Sequence, residues 1–263
     1  MVFWSCAPSE TEELVEIPDG DFLSALLQAG VDLNGDGSVS IPEAEKVNAL
    51  RIGSKGISGL TGIEAFAQLD TLVIMRNPLG TLSLEANPEL RYLDCSSCEL
   101  TSLELTGLLK LSHLNCSGGA EMANRLEQLD LSLLTGLEYL DCSGNLLDQL
   151  DLSANSNLQE LVCGRNYLER LDLTSCPLLT RVICNNNLIT SLEATSNYSL
   201  DTLISCGNQL PELDLSNNEA LLLIGIDNMP TLEEVLVWTL PFPPPGVKIL
   251  DEFSPNVVFT ASP

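Results

Sequence analysis

Basic residues, aromatic rings and histidine are all scarce in this chain. Eleven Lys and Arg stand against 37 Asp and Glu, a formal net charge of −26. A field of that sign repels phosphate backbones and anionic lipid heads, which argues against nucleic acid or an acidic membrane as partner. Phe, Trp and Tyr make up only 5% of the residues, so a core that draws on 44% hydrophobic residues cannot rest on aromatic clusters. His113 is the single histidine, which leaves little for general acid–base catalysis. No stretch reaches eighteen apolar residues, so no membrane-spanning helix is expected. A phosphate-binding loop, a dinucleotide fingerprint and a nucleophile elbow are also missing, and the sequence reads as a non-enzyme.

What is present is a repeat. LRYLDCSSCELTSLEL from Leu90, LEYLDCSGNLLDQLDL from Leu137, LQELVCGRNYLERLDL from Leu158 and LTRVICNNNLITSLEA from Leu179 share apolar residues at offsets 1, 4, 6, 11, 14 and 16. Units begin near Val47, Leu69, Leu90, Leu111, Leu137, Leu158, Leu179 and Leu200, at spacings of 22, 21, 21, 26, 21, 21 and 21. This period predicts an α/β solenoid: a leucine-rich-repeat right-handed coil of ~21-residue repeats with a parallel β-sheet on one face and short irregular turns on the other. The long unit carries five extra residues around Gly118–Asn124, expected to bulge from an edge. The expected layout is a flexible acidic tether at 1–14, a helical N-terminal cap at 15–49, the solenoid at 50–231 and a C-terminal β cap at 232–263. Pro241–Gly246 is read as part of that last cap rather than as a polyproline ligand.

The repeat absorbs most of the nine cysteines. Cys95, Cys116, Cys142, Cys163 and Cys184 all fall at offset 6, one per coil, facing the core as small hydrophobes. Neighbouring coils lie about 4.8 Å apart, close enough for a disulfide, but side chains aimed at the core are expected to stay free thiols. Cys98 replaces an asparagine at offset 9, and Cys176 and Cys206 are placed in turns. Asn77, Asn145, Asn166, Asn187 and Asn208 at offset 9 are expected to bond neighbouring turn backbones. His113 and Cys116 sit on opposite faces of a strand, so they form no catalytic pair. Zinc on Cys95, Cys98 and Cys116 would lack a fourth ligand.

The sharpest local motif is DLNGDGSVSIPE, Asp32 to Glu43. Asp32, Asn34, Asp36, Ser38 (through its carbonyl), Ser40 and Glu43 occupy positions 1, 3, 5, 7, 9 and 12 of an EF-hand-like Ca²⁺ loop, with Gly37 at the sharp turn. Hard oxygens at alternate positions converge on a hard cation, so a structural Ca²⁺ site is expected. The competing reading is a metal-free turn between two helices. One helix is capped by Asp19 or Asp21 and stopped by Gly30. The other opens with a Ser40–Glu43 capping box and is expected to run from Ile41 to about Leu50.

Between the leucines, offsets 2, 3 and 5 project from the sheet. Arg91, Tyr92, Asp94, His113, Tyr139 and Asp141 form an aromatic strip with charged flanks, and Val162, Arg181, Ile183 and Ile204 continue it with apolar side chains. Exposed Tyr and Arg on a rigid surface are typical anchors for a protein partner. The competing reading is cross-strand stacking that only stabilises the sheet.

IPDGDFLSALLQAGVDLNGDGSVSIPEAEKVNAL, the alternation of L-x-x-L-D-C-S-x-N with L-D-L-S, and the terminal FPPPGVKIL and SPNVVFT together resemble leucine-rich-repeat surface lipoproteins of Gram-negative gut bacteria. That resemblance implies an exported, outer-membrane or cell-surface protein that binds other proteins or host components. The chain is expected to be a monomer. VFWSC before APSETEE looks like the end of a lipoprotein signal, with Cys6 as the lipid-bearing residue; a basic n-region and a long apolar h-region are missing. The alternatives are a cytoplasmic interaction module and a passive surface spacer.

Overall fold

Leucine at offset 4 is the centre of a three-residue strand in almost every coil. Leu72, Leu93, Leu114, Leu140, Leu161 and Leu203 are buried, and each pairs in register with its counterpart one coil away or with Val182. Ten such strands form one parallel sheet: Ala49–Arg51, Thr71–Val73, Tyr92–Asp94, His113–Asn115, Tyr139–Asp141, Glu160–Val162, Arg181–Ile183, Thr202–Ile204, Leu223–Gly225 and Lys248–Leu250. The computed structural model describes residues 13–254 and 257–261; residues 1–12 of the expected tether, Cys6 among them, lie outside these, while Leu14 pairs with Ser40 of the cap. The chain is thus a parallel β-solenoid of about ten turns at ~21-residue spacing with little helix. Each coil covers the apolar side of the next, so one continuous core runs the length of the molecule.

Short strands at offsets 13–15 build a second set of sheets on another side of the coil. Thr81–Ser83 pairs with Ser102–Glu104, Arg170–Asp172 with Ser191–Glu193, and Glu212–Asp214 with Glu234–Val237, which pairs with Val258–Ala261. One break between these pieces has a covalent cause. Thr190 N–H donates to the Glu169 carbonyl at 3.0 Å, as Thr101 N–H does to Gly80 at 2.8 Å. The next coil places Pro211 there, which has no N–H to give to Thr190. The Pro211 carbonyl still accepts from Glu233 N–H at 2.9 Å, so pairing resumes one coil later.

Two columns of asparagine stitch the turns. Asn166 Oδ1 accepts the Leu147 N–H at 3.1 Å, and its Nδ2 donates to the carbonyls of Cys142 (3.0 Å) and Cys163 (3.1 Å). Asn124 fills this place in the long coil by accepting the N–H groups of Cys98 and Leu100, both at 2.9 Å. The extra residues therefore leave the coil before Asn124, and the ladder closes behind them. Cys98 substitutes with its thiol, 3.2 Å from the Ile74 carbonyl. A second column, Asn87, Asn155, Asn197 and Asn218, lies on another side of the coil and is buried as well. Asn197 Nδ2 donates to Leu173 (3.2 Å) and Cys176 (2.7 Å), but the four side-chain oxygens have no partner. Cys176 stands in this column, with Sγ 3.4 Å from the Asn155 carbonyl.

In the N-terminal cap, helix α1 (Gly20–Gln28) buries Phe22, Ala25 and Leu26 against the first coil. Asp19 caps it through the Phe22 N–H at 2.8 Å and ties it to the solenoid through Ser58 and Gly59. Burial pushes the Asp19 carboxyl up, but these bonds outweigh it and hold the pKa below its ordinary value. Helix α2 opens with the expected Ser40–Glu43 box but spans only Ile41–Ala44, not the stretch to Leu50. Lys46 and Val47 donate to Glu43 and Ala44, tightening the chain into a turn, and Ala49–Arg51 becomes the first strand of the large sheet. The sheet claims Leu50 because its backbone can pair with Leu72, and the leucine spacing there fits either period. At the other end, in the stretch expected as a C-terminal β cap, the strands pair directly onto the solenoid. Lys248–Leu250 extends the ten-stranded sheet and Val258–Ala261 the second one, so the coil geometry continues past residue 232.

Candidate functional site

Two places carry the residues that chemistry would single out: the 32–43 loop and the outer face of the ten-stranded sheet. In the loop, Asp32 accepts N–H groups from Gly35 (2.6 Å) and Gly37 (2.9 Å), Asn34 Oδ1 from Asp36 (2.9 Å) and Asp36 Oδ1 from Ser38 (2.8 Å). Gly37 adopts φ 85°, the left-handed conformation that glycine tolerates best. Glu43 closes the far side. Its Oε1 accepts the Leu33 N–H at 2.8 Å, and its Oε2 accepts the Ser40 N–H (2.9 Å) and hydroxyl (2.8 Å). Bonds from the Ser40 and Leu33 backbone hold the Glu43 pKa down to about 2. The structure gathers all six expected residues into one loop, with Glu43 spent on amides rather than aimed at a common centre. Among the described residues no group of three or more His, Cys, Asp or Glu is arranged to hold a metal. The donor set itself is all hard oxygen, the chemistry that Ca²⁺ takes, and Asp32 and Asp36 keep lone pairs beyond those used by the amides.

On the sheet face the register brings Tyr92, His113 and Tyr139 side by side on successive strands. Their rings stack, with centroids 5.8 and 6.1 Å apart and planes inclined by 23° and 16°. Stacking turns most ring faces toward one another, so the strip presents ring edges, two phenol hydroxyls and an imidazole. His113 Nδ1 lies 2.9 Å from the Ser112 hydroxyl. Cys116 is wholly buried behind it, and the two residues do face opposite ways. The strip continues into Glu160 and Arg181, an ion pair at 3.9 Å, and Arg91 flanks it, exposed.

The neighbouring row on the same face reads Val73, Asp94, Asn115, Asp141, Val162, Ile183, Ile204 and Gly225. Val162, Ile183 and Ile204 are half-buried side chains in unbroken succession. Gly225 interrupts the side chains of the row before Leu250, and a Cβ there would stand 2.9 Å from Ile204 and 3.0 Å from the Cys206 thiol. Cys206 thus sits beside this face, one residue past the core column. Burial first, then Asp141, Glu160, Tyr92 and Asp94, push the Tyr139 phenol pKa up.

All ten residues singled out for binding therefore lie on one surface. What the spacing did not reveal is the serine two residues after each polar member of the row. Ser96, Ser117 and Ser143 each donate backbone and hydroxyl to Asp94, Asn115 and Asp141. The D-C-S and N-C-S triplets were visible in the sequence, but only the side-chain orientation shows which oxygen the serine occupies. All eight described cysteines are free thiols, and burial pushes the column thiols well up, Cys184 to about 12.

Comparison with solved structures supports the same architecture. The functional domain of InlJ from Listeria monocytogenes, described as including a cysteine ladder, superposes with a TM-score of 0.69 at 26% identity. That match covers 91% of this chain, which spans 61% of the InlJ domain. The leucine-rich-repeat domain of APL1B gives 0.66 at 20% identity over 93% of this chain and 71% of that one. Internalin C2 of L. monocytogenes gives 0.57 at 18% identity over 97% and 100%. No protein-family profile and no curated protein sequence matches the chain. The fold is a leucine-rich-repeat solenoid.

Proposed function

We propose that this chain is a non-enzymatic, extracytoplasmic scaffold that binds a protein partner on the outer face of its ten-stranded sheet. The observation that carries the reading is the unbroken row Val162, Ile183 and Ile204 beside the stacked Tyr92, His113 and Tyr139. Cross-strand stacking accounts for the rings but not for three aliphatic side chains left half-exposed in succession. Site-specific photo-crosslinking on intact cells that carry the protein tests it, with the reactive group at Tyr139, Ile183 or, as control, Ser153 in an opposite turn. A discrete adduct from the two sheet positions and none from Ser153 is expected. Equal yields at all three positions, or no adduct from the sheet, overturn the reading.

Two further elements complete it. Ca²⁺ would be held in the cap by Asp32, Asn34, Asp36, the Ser38 carbonyl, Ser40 and Glu43, where its charge would fix the loop against the first coil. The support is the hard-oxygen donor set, and Glu43 must exchange its bonds to Leu33 and Ser40 for the ion. Calorimetric titration of chelator-treated protein should give heat of binding that disappears in Asp32→Ala; no heat in the unmodified protein ends this part. The surface location would come from lipid on Cys6, as in the bacterial surface lipoproteins that the sequence resembles. Incorporation of a palmitate analogue, lost in Cys6→Ser, is the check. A cytoplasmic interaction module is the competing reading, favoured by the free thiols; cell fractionation separates the two.

A further inference from the structure

Asp94 is nine-tenths buried, with 9% of its surface exposed, yet half of its carboxylate is idle. Oδ1 accepts the Ser96 N–H at 3.0 Å and the Ser96 hydroxyl at 2.7 Å. No donor among the described residues reaches Oδ2, and that oxygen is not sealed from solvent either. The described residues contain two ion pairs, Lys110–Glu89 and Arg181–Glu160, and neither neutralises Asp94. Asp94 thus offers one solvent-reachable oxygen without a protein partner, on a side chain already fixed in place by Ser96, and a cation brought by a partner would meet an acceptor that needs no reordering.

The neighbouring coil shows that the fold does not need this charge. Asn115 occupies the equivalent position on the next strand and makes the same two bonds, to Ser117 N–H at 3.1 Å and to its hydroxyl at 2.7 Å. Val73 occupies it on the strand before and makes no such turn bonds. The local turn can therefore be built with an amide or dispensed with, and the negative charge at 94 has no role in it. Asp141 repeats the arrangement two strands further on, with Oδ1 on Ser143 and its other oxygen free. Two strand spacings separate the pair, about 10 Å. Between them lies Asn115, whose oxygen is held by Ser117, so its amide N–H groups face outward. The stacked rings of Tyr92, His113 and Tyr139 wall the row on one side.

We infer that Asp94 is a socket for a cationic side chain, an arginine or lysine on the protein partner that docks on this face, with Asp141 as a second, outer contact. The inference rests on the sheet face being the binding surface. A guanidinium or ammonium entering over Val73 and beside Tyr92 reaches Oδ2 directly, forming a charge-assisted hydrogen bond shielded from water by the ring edges. The chain's charge of −26 favours the approach of such a partner from a distance. In this arrangement Asp94 acts as a buried anchor, and the aliphatic row from Val162 to Ile204 supplies apolar contact beyond it.

The test titrates isotope-labelled protein with capped Gly-Arg-Gly and Gly-Lys-Gly peptides, and with Gly-citrulline-Gly, the neutral analogue, read by carboxyl and ring resonances. The cationic peptides should shift the Asp94 carboxyl and the Tyr92 and His113 rings, and the citrulline peptide should not. Asp94→Asn should weaken binding at least fivefold, whereas Asp148→Asn, an equal loss of charge in a turn off this face, should change it less than twofold. Asn115 shows that the first variant keeps its turn, so misfolding does not stand in for lost binding. Citrulline binding equal to arginine, an Asp94→Asn variant as tight as the parent, or CaCl₂ displacing the peptide at lower concentration than the peptide itself overturns the inference. Failure here and failure of the binding-face reading are distinguishable. Crosslinks from Tyr139 and Ile183 that persist undiminished in Asp94→Asn leave the face standing and remove the socket.

Discussion

The Glu43 carboxylate accepts the Leu33 N–H at 2.8 Å across ten residues of chain, so one side chain closes the 32–43 loop and caps α2 at the same time. Those bonds hold its pKa down to about 2 from an ordinary 4.5. A carboxyl depressed in the folded state contributes stability that is complete above its unfolded pKa and is lost as pH falls through the folded one. The contribution of Glu43 should therefore be full above about pH 4.5 and fade toward pH 2. Glu43→Gln keeps one acceptor and loses the other; at pH 7 it should cost about 1–3 kcal/mol, the usual result of leaving a buried donor unmet. Urea unfolding of parent and variant at pH 7, 4.5, 3 and 2 is the measurement. A gap that stays constant from pH 7 to 2 contradicts the assignment.

The two asparagine columns should differ in worth. Asn166 satisfies one N–H and two carbonyls of neighbouring turns, whereas Asn197 serves two carbonyls and leaves its own oxygen without a partner. Asn166→Ala should cost about 2–4 kcal/mol, since it strands a buried N–H as well as carbonyls, and Asn197→Ala about 1 kcal/mol less. Equilibrium denaturation of both variants would show the order, and the reverse order would mean that the unpartnered oxygens are not a cost.

Pro211 interrupts the second sheet because it has no N–H for the Thr190 carbonyl. Pro211→Thr supplies one. The gain of a hydrogen bond and the loss of proline's restriction on the unfolded chain nearly offset each other, so global stability should move by no more than about 1 kcal/mol. Hydrogen exchange is the sensitive readout. The amide of residue 211 should become protected in the variant to the level of Thr190, and an amide that exchanges freely would show the break has another cause.

Thiol chemistry should separate one cysteine from the rest of the described set. Cys95, Cys116, Cys142, Cys163 and Cys184 are wholly buried with raised pKa values, while Cys206 is half-buried beside Gly225. In a Cys6→Ser background, native protein at pH 8 should react with iodoacetamide at Cys206 first and at the column only on the timescale of unfolding. Mass mapping of modified peptides decides it, and labelling of the column at the rate of Cys206 would mean that the coils open readily.

The repeat was legible because a solenoid writes its packing as a period. Offsets 4 and 6 always meet the same offsets one coil away, so Leu93, Leu114 and Cys116 needed no tertiary knowledge to be placed inside. The strip Tyr92, His113 and Tyr139 was legible for the same reason. Where the local pattern allowed two structures, the chain alone could not choose. Leu50 fits a helix face and a strand centre equally, and only an available neighbour at Leu72 settles it. The residues after Leu232 have lost the leucine spacing, yet their backbone still finds a coil to pair with.

By itself, then, the sequence determined what repeats: the coil, its inward ladders and the rows that face outward, because each depends only on residues a fixed distance apart. Tertiary structure decided what depends on direction and on occupancy. It set which oxygen of Asp94 a serine already holds, which carbonyl Pro211 leaves unanswered, and where Glu43 spends its charge. These are properties of individual lone pairs and N–H groups, fixed only when neighbouring coils bring their partners within hydrogen-bonding distance.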